Sequence, residues 1–89
     1  MLIVSYDIEN DKVRTRFMKM LLKNGGVRLQ FSVYEINNTR RVVENIIAKI
    51  NTFSSKFTND DSVVIFNVDN HSVRKFGNAI HRDKDVLYF

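Results

Sequence analysis

The chain has no cysteine, no proline and no tryptophan, and only three glycines in 89 residues. Without cysteine, neither a disulfide scaffold nor a cysteine-ligated zinc site can form. Apolar runs stop at four residues, as in Val63 to Phe66, so no segment reads as a bilayer-spanning helix and no membrane partner is expected. Met1 to Val4 runs straight into a strand pattern without a basic leader, so no signal peptide is expected and the cytoplasm is the expected compartment. The Gly25-Gly26 pair lacks the flanking spacing of a phosphate-binding loop. Histidine is limited to His71 and His81, too far apart and too little supported by acidic neighbours for a zinc site. The same scarcity leaves Ser5 and Ser32 without a nucleophilic triad.

What is present suits one small domain over residues 1–89. Hydrophobic residues make up 44% of the chain, with seven Phe and three Tyr, which excludes disorder as the main state. The formal charge of +4 permits an anionic partner without naming one. Eight basic and five acidic residues lie in 1–45, against six and five in 46–89, so the excess sits in the first half. A chain of this length buries only ~60–65% of its unfolded surface, and pairing with another chain would help stabilise it.

The first eight residues, MLIVSYDI, are nearly continuously apolar and read as a buried central strand. Asn10 offers an N-cap to a helix over 11–24, whose Val13, Phe17, Met20 and Leu21 form one apolar stripe. Gly25-Gly26 ends it. Residues 27–36 are extended, either as one long strand or as two short ones with a bend. Asn37, Asn38 and Thr39 then punctuate the chain and can cap a second helix over 40–56. Asn59 to Asp61 reads as a turn, 62–68 as a strand, Asp69 to His71 as a tight turn, and Ser72 to Phe76 as a weaker strand. Asp85 to Phe89 reads as a short terminal strand. This α+β order fits a ferredoxin-like sandwich, two helices on one face of an antiparallel sheet. Apolar residues on both faces of the first strand predict that the open face is covered by a second copy or a partner protein. Most Phe and Tyr fall at core positions in this reading, rather than on a base-stacking surface.

Asp7 ends the apolar first strand, where a carboxylate is costly unless solvated, paired or metal-bound. It reads either as a solvated or capping residue or as a Mg²⁺ ligand, because magnesium takes one or two carboxylates and completes its shell with water and phosphate. A two-fold axis could bring two copies of Asp7 together. Glu9 and Asp11 are turn and helix-start acids that could add negative field. Lys12, Arg16, Lys19 and Lys23 recur at helical spacing as a basic ridge, with Arg14 beside it and no Glu four residues away to pair with it. The ridge reads as a solvated face or as a track for a phosphate backbone. Arg40 and Arg41 stand at a helix start, where the dipole disfavours cations, and they read either as contacts to an anion that would offset the cost or as loop-end arginines without a role.

The segment IVSYDIEND, the Arg-bearing helix ending in Leu21-Leu22, Gly25-Gly26 and the run Arg28 to Glu35 together resemble the CRISPR-associated Cas-two family. The matching positions are Tyr6, Asp7, Ile8, Arg14, Arg28, Gln30, Ser32, Val33 and Glu35, and Asp61 to Val63 resembles a third block. Tyr34 stands where Phe is usual, and Val13 and Val64 stand where many members carry Arg. The resemblance implies a ferredoxin-like homodimer whose C-terminal strand packs on the partner copy, with Asp7 as Mg²⁺ ligand near the dimer axis. It implies either metal-dependent cleavage of RNA or duplex DNA, or a non-catalytic bridge that binds DNA with the Cas-one integrase during spacer acquisition. A stand-alone metal-dependent ribonuclease of toxin type is the alternative, since such toxins share the fold. A metabolite-binding module of the same fold would be expected to carry a Gly-rich ligand loop, which is missing. The reading favoured here is the DNA-binding bridge, with Lys12, Arg14, Arg16, Lys19, Lys23, Arg28, Arg40 and Arg41 contacting nucleic acid.

Overall fold

The computed structural model describes residues 1–79. In chain order they form β1 (Leu2–Asp7), α1 (Asp11–Lys23), β2 (Val27–Gln30), β3 (Val33–Ile36), α2 (Arg40–Ser54) and β4 (Ser62–Asn67). The strands make one antiparallel sheet in the order β2-β3-β1-β4. This is the ferredoxin-like α+β arrangement expected from the element order.

Alternation along β1 divides the sheet into two faces. Leu2, Val4 and Tyr6 are buried. They pack with Phe17, Met20 and Leu21 of α1, Ile46 of α2, and Tyr34 and Ile36 of β3. Each such buried side chain contributes roughly 1.5–3 kcal/mol. The Tyr6 and Phe17 rings lie 4.9 Å apart between centroids, and Phe17 meets Phe53 edge-on at 5.4 Å. The other face pairs Ile3 with Phe66, Ser5 with Val64 and Asp7 with Ser62. Val64 and Phe66 remain about half exposed there. The first strand is therefore central but buried on one face only.

Local chemistry sets the helix ends. The Asn10 side chain accepts a hydrogen bond from the Val13 N–H at 3.0 Å, capping α1 as its residue type predicts. Gly25 turns the chain out of the helix with φ +85°. At Gly26 a Cβ would sit 2.7 Å from the Leu21 carbonyl oxygen, so only glycine fits. No side chain caps the N-terminus of α2. Asn37 instead accepts from the Thr39 N–H at 2.8 Å, and the helix depends on its apolar face for stability.

The extended stretch 27–36 resolves into two strands. Ser32 takes φ 66° at the bend, and the β2–β3 register slips between Arg28 and Gln30. That slip breaks simple alternation, burying Leu29 and leaving Phe31 73% exposed. The weak strand expected at Ser72 to Phe76 does not form. Asp69 accepts a hydrogen bond from the His71 N–H, and this Asx cap turns Asn70–Ser72 into a single 3₁₀ turn. Beyond it, Lys75 pairs with Glu35 of β3 instead of continuing into a ladder. Tyr6, Phe17, Tyr34, Phe53 and Phe57 belong to the core or pack against it, as expected, whereas Phe31, Phe66 and Phe76 are exposed. The expected terminal strand at Asp85 to Phe89, and His81, lie outside the described residues. Among the described residues, no helix is long and apolar enough to cross a membrane.

Candidate nucleic-acid interface

Packing α1 by Phe17, Met20 and Leu21 leaves the helix two flanks. Lys12, Arg16, Lys19 and Lys23 share one flank, and all four are exposed. Arg16, Lys19 and Lys23 line a shallow groove of about 340 Å³ together with Lys49 of α2. Among the described residues, neither the four ridge cations nor Lys49 forms an ion pair. Like charges held this close without counter-charge raise a positive potential along the groove. Lys49 was absent from the sequence-derived ridge. Its only signal is an outward position one turn beyond Asn45, and the packing of α2 beside α1 supplies the rest. The Asn45 amide marks that packing, donating to the Asn24 side chain at 2.7 Å.

Arg14 lies on the other flank and is engaged locally. Its guanidinium donates to the carbonyls of Ile8 at 3.1 Å and Glu9 at 3.3 Å, and it pairs with Asp11. The same β1–α1 loop is held from the other side by Asp61, which accepts from the N–H groups of Glu9 and Thr58, each at 2.8 Å. Those two donors, Glu9 first, hold the Asp61 carboxyl below the usual aspartate range. Glu9 and Asp11 thus stand in the loop and first helical turn, with Asp11 tied to Arg14.

Arg28 projects on the helix side of β2, opposite Tyr34 in register, with its guanidinium 5.4 Å from the Phe31 ring centroid. It lines a small cavity with Tyr6, Ser32 and Tyr34. Burial, and then the neighbouring Tyr34, push the Tyr6 hydroxyl above the ordinary tyrosine value. At the start of α2, Arg40 makes an exposed ion pair with Glu44 at 3.1 Å, whereas Arg41 has no such pair among the described residues. The Arg40 pair offsets part of the dipole penalty and contributes roughly 0.3–0.5 kcal/mol.

Asp7 is exposed at the end of β1, on the open face of the sheet opposite Ser62. Its carboxylate has no hydrogen-bond or ion-pair partner among the described residues. No group of three or more His, Asp or Glu that could hold a metal occurs among them either. The described residues therefore supply no three-ligand set for a hard cation, and water, phosphate or a second copy would have to complete its shell. The basic groove lies on the helical layer and Asp7 on the opposite side of the sheet. A single chain does not bring them together.

Residues 1–76 match the family model for the CRISPR associated protein Cas2. The chain belongs to this family. The Cas2 match includes Tyr6, Asp7, Arg14, Arg28 and Glu35, and it ends at Phe76, just past Lys75. The fold is similar to the crystal structure of a hypothetical protein, TT1823, from Thermus thermophilus. That likeness has 25% identity and a TM-score of 0.62, over 78% of this chain and 80% of the other. No curated protein matches the chain.

Proposed function

We propose that this Cas2-family chain is a DNA-binding subunit of spacer acquisition, a single domain working in the cytoplasm as a homodimer that bridges DNA with the Cas-one integrase. The observation that carries this reading is the groove of Arg16, Lys19, Lys23 and Lys49, continued by Lys12, with no carboxylate to neutralise it among the described residues. Such cations contact phosphates without reading bases, which suits a bridge that must accept many sequences. The half-exposed Val64 and Phe66 on the open sheet face support pairing with a second copy. Chemistry at the DNA ends then belongs to the integrase.

Replacing Lys12, Arg16 and Lys19 together by Ala tests the reading. Duplex affinity should fall roughly tenfold or more near 0.1 M salt, and the slope of log K against log salt should flatten by roughly 2.7, about 0.9 for each lost contact. A triple variant that binds like the parent across the titration removes the groove from the interface.

Asp7 supports a second reading, Mg²⁺-dependent phosphodiester cleavage of single-stranded RNA or duplex DNA. An exposed, unpartnered carboxylate at the end of a central strand suits a magnesium ligand, and a second copy of Asp7 across a two-fold axis would complete a pair. When bound, the metal supplies Lewis-acid polarisation of a phosphate and a more acidic water. Asp7 would anchor it. Cleavage by the parent that vanishes in Asp7→Ala, at unchanged oligomeric state, would establish this reading. Equal or absent cleavage in both would leave the bridge alone.

A further inference from the structure

The cavity between α1 and the β2–β3 hairpin is used by neither the basic groove nor Asp7. It encloses about 200 Å³. That is less than the ~300–1,000 Å³ of a pocket for a drug-sized ligand, so it suits a fragment such as one planar ring. Its walls are mainly apolar, from Tyr6, Tyr34 and Met18, while Phe31 stands at the rim, 73% exposed. The exposed Phe31 ring sits where β2 and β3 bend, so its placement comes from the backbone rather than from core packing.

Two polar features make the cavity specific. The Ser32, Tyr6 and Tyr34 hydroxyls interact with one another at its wall and keep acceptor capacity toward a ligand. Arg28 is half-buried, has no carboxylate partner among the described residues, and lies beside the Phe31 ring and within electrostatic reach of the Tyr6 hydroxyl. A partly desolvated guanidinium without a counter-charge is ready to accept an anion, and its planar fork matches phosphate. Arg14 at the cavity edge is already committed to the loop carbonyls and Asp11, which leaves Arg28 as the anchor.

A bare phosphate would leave the apolar walls unused, and a neutral ring would leave Arg28 unpaired. We propose that this cavity takes a single unpaired nucleotide, its base against Phe31 and the tyrosine wall and its phosphate on Arg28. Bases released from pairing are recognised by this combination of aromatic stacking and hydrogen bonding. A duplex presents no free base, so the site is distinct from the sequence-blind backbone contacts proposed for the groove. The nucleotide could be free in solution or lie in a single-stranded stretch, since both carry the same chemistry.

The test is titration of the full chain with adenosine monophosphate, ribose 5-phosphate and inorganic phosphate, followed by amide chemical shifts and tyrosine fluorescence. The nucleotide should bind at least tenfold tighter than ribose 5-phosphate and perturb Phe31, Ser32 and Tyr34. Arg28→Gln should weaken it roughly tenfold, and Phe31→Ala should erase its advantage over ribose 5-phosphate; thermal melts confirm that both variants fold. Equal affinity for nucleotide and ribose 5-phosphate, or folded variants that bind like the parent, overturns the proposal. Competition by a short single strand identifies the source as nucleic acid, and failure to compete identifies free nucleotide. Duplex binding measured in parallel separates the two readings: nucleotide binding without duplex binding sinks the bridge and keeps this site, and the reverse sinks only this site.

Discussion

The two flanks of α1 carry the same kind of charge and use it differently. On the flank beside α2, Arg16, Lys19 and Lys23 face a groove with Lys49 and, among the described residues, no carboxylate. On the flank beside β2, Arg14 is folded onto the carbonyls of Ile8 and Glu9 and paired with Asp11. A cation held by local acceptors has less to give a ligand, while an unpaired row of cations gains most from a polyanion. A basic residue in a helix is therefore a candidate contact only after its local acceptors are known.

Substitutions can break or sharpen that contrast. The largest effect should come from the stripe between the flanks. Phe17→Ala removes a fully buried ring and should cost about 3–5 kcal/mol, read by urea unfolding, a large share of a small domain's stability. Arg14→Ala should cost about 1 kcal/mol, since its charge-assisted hydrogen bonds are partly solvent-screened, and should leave duplex affinity within a factor of two or so. If Arg14→Ala instead weakens duplex binding as strongly as Arg16→Ala without changing the melt, the two flanks are equivalent and the contrast fails.

Smaller effects appear as pH dependence. Tyr6 has a raised pKa in the folded chain, so its contribution is fully present below the unfolded value of about 10 and is lost as pH rises through the folded value. Unfolding curves between pH 9 and 11.5 should fall less steeply for Tyr6→Phe than for the parent. Asp61 behaves in the opposite sense. Its folded pKa is depressed, so its contribution is present above the unfolded value near 3.8 and is lost as pH falls through the folded value. Asp61→Asn should flatten the acid limb of stability against pH. A parent-like acid limb would mean that the Asp61 hydrogen bonds to Glu9 and Thr58 do not secure the loop beneath Asp7.

Much of the fold was legible because it depends on local rules. Asn10 announces its cap, Gly25 its turn, and the stripe Phe17, Met20, Leu21 its helix face. The slip between Arg28 and Gln30 was less legible, because a one-residue irregularity has no signal of its own in the sequence while it changes which side chains are buried. The strand expected at Ser72 to Phe76 failed because Asp69 offered the backbone a nearer partner than a neighbouring strand. At the candidate site, the ridge was legible from its spacing, but Lys49 and the separation of Asp7 from the groove were not.

Residue order alone determined the α+β element sequence, the basic bias of the first helix and the family to which the chain belongs. All three follow from periodicity, caps and motif spacing, which act over a few residues. Only the tertiary structure decided which cations stand free, that Lys49 joins them across the helix pair, and that Arg28 faces a cavity beside Phe31. Those outcomes depend on which elements pack together, and a side chain's counter-charges and solvent are set by its neighbours in space.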